Sequence, residues 1–580
     1  MSIIKFDYNS MKNRVLNRLS ANEDWKNFLP YSVIDGLVSA ILTELAYDIG
    51  YCERNEVENF WNKAMNKSSL LVQSGVHGYK PRRKQGCVGT LRLSTSKTFD
   101  SSFAREIYIP KFSQFSGGGY YFCTNEFKTL SPSDNYVDFN VVQGEKIEID
   151  FVAKGDIFET KYINDDSIEN SLFEVSVNDI IWKEVDSLFE SEKTDQVYTL
   201  TLEPNCRGLT IKFGNDVYGK KLEIGDLVKI RYLSTSGSKC DIIDNGVVNK
   251  CESTFYDSKG NSITCYVTNI TNLSGGSDYP TIEEIRELSP KVYQTGDRAS
   301  SSDDYIAMIK NLTSISKIIV WGAYEELMDR GLSPFDFLPS EENVIHISAI
   351  RSVGENEFEP LPIGIQNELI EKLHLKCDPT DLIKFEDVNL IPFRINVNGT
   401  LSSTSYSLSE VKSDIRNQLI EKYKLINRNF NESINLSDVI ALVDNTKGID
   451  YCDCDYTVYY DDSLYSNMTY TKILPFQNFN DISKNILYIR DVSIDNDWIK
   501  LASVNKYGML ISESEDYPIT GNLQMNSDGY YVLNINLRNI PEESYNNYEL
   551  RFEVDVTPTK LRKTIWYLGE TDINLKYPTK

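Results

Sequence analysis

Histidine is scarce in this sequence: only His77, His346 and His374 occur in 580 residues. They lie far apart and form no H-E-x-x-H or comparable ligand spacing, so zinc hydrolysis is not the expected chemistry. His374 falls at the end of a predicted helix, where a solvated or C-capping imidazole is a better reading than a catalytic base, and His77 reads as a loop residue. Positive charge is also short. Sixty Lys and Arg stand against 85 Asp and Glu, a formal charge of -25, and such a surface repels phosphate, which argues against nucleic acid as a partner. No long hydrophobic run is present. The most apolar stretch, residues 33–49, carries Asp35, Glu44 and Asp48 and falls short of the roughly 20 apolar residues a span needs, so direct membrane insertion is not expected. The opening MSIIKFDYNS lacks the apolar core and small-residue cleavage site of a secretory signal, which predicts synthesis and folding in a cytoplasm. Ten cysteines are too sparse for a disulfide framework and read as mostly free thiols.

What is present is an ordinary folded composition, 41% hydrophobic and 25% charged, and a length that predicts about four domains at roughly 150 residues each. Charge is unevenly spread. Residues 1–85 hold 12 basic and 9 acidic side chains, a local +3 that leaves -28 on the remainder, and this asymmetry favours docking between copies or onto acidic partners.

The chain changes period along its length. Val33, Leu37, Ile41, Leu45 and Ile49 repeat every four residues, with Ile34, Val38 and Leu42 widening the stripe, which predicts a helix with a broad apolar face. The pattern resumes at Val57, Phe60, Trp61 and Ala64 and ends near residues 75–81, predicting a helical hairpin or pair over 1–85. Residues 86–274 read as a β-rich domain: Ile147, Ile149 and Phe151 alternate with Glu148 and Asp150, and Val228, Ile230 and Tyr232 with Lys229 and Arg231. The acidic stretch 156–195 reads as an insertion within it. Residues 275–340 are expected to be a helical linker module, opened by a Thr281/Glu284 capping box and continued by a helix from Ser302. Residues 341–462 alternate strand and helix and read as an α+β sandwich, and 463–580 as a C-terminal β domain with a hairpin turn at Asn526-Ser527-Asp528-Gly529. The fold class is thus multidomain α+β.

Candidate chemical groups are few. Cys452 and Cys454 alternate in a predicted strand without a second pair nearby, and buried thiols packing as small hydrophobes is the favoured reading. Residues 444–450 hint at a calcium loop, but the glycine is fifth instead of sixth and the twelfth position is not glutamate, so a helix-to-strand turn explains them better. Gly117-Gly118-Gly119 lacks the Lys-Ser/Thr of a P-loop and reads as a hairpin. Lys80, Arg82, Arg83 and Lys84 form the tight basic cluster, either a solvated loop or a docking site for an acidic neighbour. No catalytic residue, metal site or cofactor is expected.

Several segments together resemble the J-like baseplate wedge proteins of contractile-tailed bacteriophages and related injection machines. One is Ile211-Lys212-Phe213-Gly214-Asn215-Asp216-Val217-Tyr218-Gly219-Lys220-Lys221, followed by Gly225-Asp226, the segment 227–232 and Ser234-Thr235-Ser236-Gly237. A second is Gly275-Gly276-Ser277-Asp278 leading into Thr281-Ile282-Glu283-Glu284-Ile285-Arg286, then Thr295-Gly296-Asp297-Arg298-Ala299 and Asp303-Asp304-Tyr305. Ile107-Tyr108-Ile109-Pro110 with Phe112, Phe115, Phe122 and Thr124, and Leu436-Ser437-Asp438-Val439-Ile440 before Gly448-Ile449-Asp450, complete the set over roughly residues 30–460. The stretch 156–195 and the part after residue 463 match no pattern of the family.

The resemblance implies a non-enzymatic subunit of a six-fold baseplate in a virion tail, assembled in the host cytoplasm. Its implied partners are a second copy, as a dimer within each wedge, and other wedge, sheath-initiating and hub proteins. The interface expected from the residues comprises Leu37, Ile41, Leu45, Trp61, Arg82 and Arg83, and a hinge is expected at Gly275 and Gly276. The rival readings are a polysaccharide-degrading enzyme and a glycan-binding adhesin, the latter with Trp498, Trp566 and Tyr530 stacking on sugars.

Overall fold

In a computed structural model the chain is a multidomain α+β protein that divides into two units: residues 1–298, 307–314 and 362–365, and residues 299–306, 315–361 and 366–580. The residues described are 8–21, 33–76, 78–96, 106–132, 134–203, 207–240, 244–329, 342–352, 358–463, 469–476, 479–492, 498–515, 517–526, 530–537 and 548–578. His77 and the turn residues Ser527, Asp528 and Gly529 lie outside them.

Unit 1 opens with three helices: α1 (Tyr8–Ser20), α2 (Val33–Glu58) and α3 (Lys67–Val76). The periodic stretch at 33–49 is one helix that continues to Glu58, and the expected resumption at Val57 to Ala64 is instead the end of α2 and a turn. Glu58 makes the break. Its carboxylate accepts the backbone N–H groups of Met65 and Asn66, both at 3.1 Å, which ties the end of α2 to the turn that leads into α3.

Three sheets follow. The first runs Val248–Cys251, Gln114–Gly117, Tyr120–Thr124, Val137–Gln143, Val88–Ser94, Tyr266–Asn269 in spatial order, all antiparallel. Gly118 and Gly119, at φ +60° and +84°, make the two-residue turn between Gln114–Gly117 and Tyr120–Thr124, a backbone that two positive φ angles require. The second sheet has seven strands, ordered Glu145–Val152, Leu227–Ser234, Ile168–Val177, Ile180–Glu184, Val197–Leu202, Leu209–Phe213, Thr160–Ile163. The two alternating segments singled out in the sequence prove to be cross-strand partners, with Phe151 opposite Val228, Ile149 opposite Ile230 and Ile147 opposite Tyr232. A third, four-stranded sheet contains Ile107–Ile109 and Phe255–Asp257.

The acidic stretch is not an insertion. Its strand Ile168–Val177 lies inside the seven-stranded sheet between Leu227–Ser234 and Ile180–Glu184, and Val175 and Trp182 join the buried core with Ile211, Phe213 and Ile230. Nearly the whole strand is buried, Glu169 and Glu174 included, so it lacks the in-out alternation that marks the other strands in the sequence.

The capping box at Thr281 is present: Thr281 Oγ1 accepts Glu284 N at 3.2 Å and Glu284 Oε2 accepts Thr281 N at 2.6 Å, opening α4 (Ile282–Thr295). Ser301 and Asp304 repeat the device ahead of α5 (Ser302–Leu312), with Asp304 Oδ2 accepting Ser301 N at 2.9 Å.

Unit 2 requires two corrections to the boundaries drawn from sequence. Residues 275–340 are not helical throughout, because Lys317–Gly322 is a strand that pairs with Val344–Ser352 in a four-stranded sheet; α6 (Ala323–Asp329) follows it. Val344–Ser352 does not share a sheet with Asn389–Leu401 and Ile449–Ser463, so the expected single α+β plait is divided. Nor does a domain end at 462. Ile449–Ser463 is an inner strand of a seven-stranded sheet ordered Leu510–Ser512, Ile499–Val504, Ile486–Asp491, Tyr548–Val554, Ile449–Ser463, Asn389–Leu401, Thr564–Lys576. A 15-residue strand pairs with different neighbours along its length, and sequence alternation cannot mark where one neighbour replaces another.

The core of this sheet takes α8 (Leu408–Tyr423) and α9 (Leu436–Asp444) on residues such as Phe393, Ile395 and Val397, and continues through Leu550, Phe552 and Val554 to the three-stranded sheet of Thr469–Ile473, Tyr531–Leu537 and Ile519–Met525. The remaining helix, α7, spans Ile363–His374. No helix among the described residues is long and apolar enough to cross a membrane.

Candidate interaction surface

The longest helix is the least covered. At 26 residues α2 is about 39 Å long, twice the length of the 13-residue α1 beside it. Proline is absent from it, and Asp35 stands in its first turn, where an anion suits the helix dipole. The side facing α1 buries Asp35 and Leu42, as α1 buries Met11. Lys12 Nζ meets Asp35 Oδ1 at 3.1 Å and Ser39 Oγ at 2.9 Å, and its bond to Asp35 raises the lysine pKa.

On the other side Leu37, Ile41 and Leu45 are 61%, 68% and 45% exposed. Beyond them Tyr47 and all of residues 50–57 are exposed as well, including Cys52. Full burial of a leucine or isoleucine is worth about 1.5–3 kcal/mol, so each of these half-exposed side chains leaves roughly 1 kcal/mol unrealised. The three form an aliphatic stripe on the side of α2 away from α1.

The other residues expected at the interface lie elsewhere. Trp61 packs, partly buried, against Ala64, Leu70, Leu71, Tyr79, Ile285 and Leu288. Arg82 is buried, with its guanidinium 3.3 Å from Glu284 Oε1. Arg83 donates to the carbonyls of Glu169 at 3.2 Å and Asn170 at 2.6 Å, and Lys80 Nζ meets Asp186 Oδ1 at 2.7 Å. These three cations are therefore met within the chain itself, Lys80 by Asp186, Arg82 by Glu284 and Arg83 by backbone carbonyls of the acidic stretch. Sequence spacing cannot reveal such pairing because the partners lie 86–202 residues away.

Gly275 and Gly276 are packed. Gly275 has φ +105°, and a Cβ there would stand 2.6 Å from Ile365 Cδ1; one on Gly276 would stand 2.5 Å from Gly237 O and 2.7 Å from Cys240 O. Both positions are thus closely packed, and a side chain at either would press on these neighbours.

The groups with chemical potential are held by partners. Among the described residues no three His, Cys, Asp or Glu side chains gather as metal ligands. Cys452 and Cys454 are buried, as expected, and burial pushes both thiols above their usual range. Residues 444–450 are the expected turn from α9 to a strand. His374 ends α7.

A cluster that no motif announced joins His346, Glu386, Lys384, Lys563, Glu326 and Trp321 in unit 2. Glu386 Oε1 lies 2.9 Å from His346 Nδ1 and 2.7 Å from Lys384 Nζ, and its Oε2 lies 3.2 Å from Lys563 Nζ. Glu326 accepts Trp321 Nε1 at 2.9 Å and meets Lys563 at 3.3 Å. Burial pushes the Glu386 carboxyl up, but hydrogen bonds from His346 and Lys384 and the charge of Lys563 outweigh it and hold the carboxyl well below the usual range. A carboxylate so stabilised is a poor proton acceptor.

The aromatic residues considered for sugar stacking are occupied. Trp566 is fully buried with its Nε1 donating to Thr559 O at 2.8 Å, and the Trp498 ring lies 4.6 Å from the Arg490 guanidinium and 4.4 Å from that of Arg551. Tyr530 is partly buried.

No protein-family model matches the chain, and no curated protein matches it. Among solved structures it is similar to a chain of the anti-feeding prophage baseplate, determined by cryo-electron microscopy with six-fold symmetrisation. That similarity covers 77% of this chain and 86% of the other, at 10% identity and a TM-score of 0.27.

Proposed function

We propose that this protein is a structural subunit of a contractile-tail baseplate, placed in the wedge, that works through protein contacts and not through chemistry. The observation that carries the reading is the aliphatic stripe Leu37, Ile41 and Leu45, exposed on a helix whose opposite side already packs on α1. The ordered segments quoted above, which resemble J-like wedge proteins, supply the setting.

The stripe is assigned to a second copy of the same chain, giving a dimer within each wedge. Two such stripes meeting would bury apolar surface that neither copy covers alone. Other wedge, sheath-initiating and hub proteins are the remaining partners, with assembly in the host cytoplasm and residence in the virion tail. The same protein contacts would transmit the rearrangement that triggers sheath contraction.

The double substitution Leu37→Asp with Ile41→Asp tests this. Light scattering of the full chain should read a dimer for the natural sequence and a monomer for the variant, with unchanged circular dichroism. Cys52, exposed on α2, should react with maleimide more slowly in the dimer than in the variant. A variant that remains dimeric, with Cys52 equally protected, would overturn the assignment.

A further inference from the structure

Two thiols far apart in sequence meet inside unit 1. Cys87 Sγ and Cys240 Sγ are 3.2 Å apart, across 153 residues of chain, and the two residues are 0% and 1% exposed. Their positions are set by the backbone on both sides. Cys87 directly precedes the strand Val88–Ser94, and its carbonyl accepts Gln143 N at 2.8 Å. Cys240 closes the 3-10 turn Gly237–Lys239, donating its N–H to Gly237 O at 3.3 Å. The two flanks are tied to each other, because Gln143 Oε1 accepts both Thr235 Oγ1 at 2.6 Å and Ser236 N at 3.1 Å. The carbonyls of Gly237 and Cys240 in turn lie close against Gly276. Packing of this density holds the sulfurs together.

We propose that Cys87 and Cys240 are a modification site: a thiol pair that closes to a disulfide on meeting an oxidant of the disulfide class, for which oxidised glutathione is the probe. One protein thiolate attacks the oxidant's S–S bond, expelling a glutathione thiolate and leaving a mixed disulfide. The second protein thiolate attacks the protein sulfur of that bond and expels the second glutathione. Two protein thiols lose two protons and two electrons, and one oxidised glutathione becomes two reduced ones. The sulfurs close from 3.2 Å to about 2.05 Å, a movement of roughly 1 Å. Burial makes the step slow, since exchange passes through local opening.

The product staples the first strand of the β domain to the segment that leaves Leu227–Ser234. It constrains a loop of about 150 residues in the unfolded chain, the case in which a cross-link stabilises most. A chain folded in a reducing cytoplasm keeps both thiols and closes them once outside it. The inference does not depend on the baseplate reading.

The test oxidises the folded full chain with excess oxidised glutathione, blocks remaining thiols, and maps the digest by mass spectrometry. The expected product is one cross-linked peptide pair containing Cys87 and Cys240, two hydrogens lighter than the separate peptides, with a melting temperature several degrees higher that returns on reduction. Cys240→Ser should abolish both changes, and Cys87→Ala serves if that variant folds poorly. Unchanged alkylation of Cys87 and Cys240 after oxidation, a cross-link formed only in denaturant, or glutathione left on either cysteine would each overturn the proposal.

Discussion

Two helices of this protein carry the same apolar period and meet opposite fates. In α8 of unit 2, Val411, Ile415, Leu419 and Tyr423 recur every four residues and are all buried, with the Tyr423 ring edge-on to Phe393 at 5.9 Å between centroids. In α2 of unit 1, Leu37, Ile41 and Leu45 recur at the same interval and face solvent. Period four reports that a helix has an apolar face. It does not report what covers that face. The α8 stripe is answered by Phe393, Ile395 and Val397 of the sheet beneath it, whereas α1 answers only the other side of α2.

The sharpest way to break this comparison is to shorten one residue in each stripe. Ile415→Ala should cost about 2–5 kcal/mol in urea unfolding, because a buried branched side chain leaves a cavity. Ile41→Ala, measured on dilute monomer, should stay within about 0.5 kcal/mol, as surface substitutions do. Equal losses at the two sites would mean that the α2 stripe is covered by its own chain.

A second contrast is electrostatic. Glu386 in unit 2 is enclosed by Lys384, Lys563 and His346, and its lowered pKa contributes stability that is present above the unfolded carboxyl value of about 4.3 and is lost as pH falls through the folded one. Glu386→Gln should therefore cost about 2 kcal/mol at neutral pH, as loss of hydrogen bonds to charged groups does. It should also flatten the stability profile below about pH 5. The Lys12–Asp35 pair that joins α1 to α2 has the opposite sign. The raised lysine pKa is a contribution present below the unfolded value of about 10.4, while the Asp35 carboxylate that causes it is ionised, and is lost as pH rises beyond that value. Chemical denaturation carried from about pH 2 to about pH 11 would separate the two by their alkaline limbs, and an unaltered acid profile in Glu386→Gln would dissolve the contrast.

The smallest effect concerns α2 alone. Gly50 is exposed within the helix, and a Cβ there would meet no atom within 4 Å. Gly50→Ala should raise helix stability by about 0.5–1 kcal/mol without changing the dimer, since the position is well round the helix from Leu37, Ile41 and Leu45. A melting curve and light scattering on one sample check both parts. Loss of the dimer would extend the contact surface round the helix.

Much of the local structure was legible in the residues. The helix at 33–49, the Thr281 capping box and the alternating segments around Ile149 and Ile230 follow from side-chain period and from donors that helix starts leave unpaired. The acidic strand Ile168–Val177 is not legible from its residues, since it is buried almost throughout and carries Glu169 and Glu174 at buried positions instead of an in-out alternation. The run through residues 449–463 was cut too early, because alternation continues unchanged while the partner strand changes.

The site was less legible than the fold. The stripe Leu37, Ile41, Leu45 is visible in the sequence as a stripe, but its exposure is not. Arg82 and Arg83 read as a free basic cluster, and only the fold brings Glu284 and the carbonyls of Glu169 and Asn170 to them. The Cys87–Cys240 contact and the Glu386 cluster have no sequence signature at all, since their members are separated by 153 residues in the first and by up to 237 in the second. By itself the sequence determined the elements, their caps and their apolar faces, which depend on interactions a few residues long. Which faces, charges and thiols meet was decided by the tertiary structure, because those contacts join segments that only chain folding brings within a few ångströms.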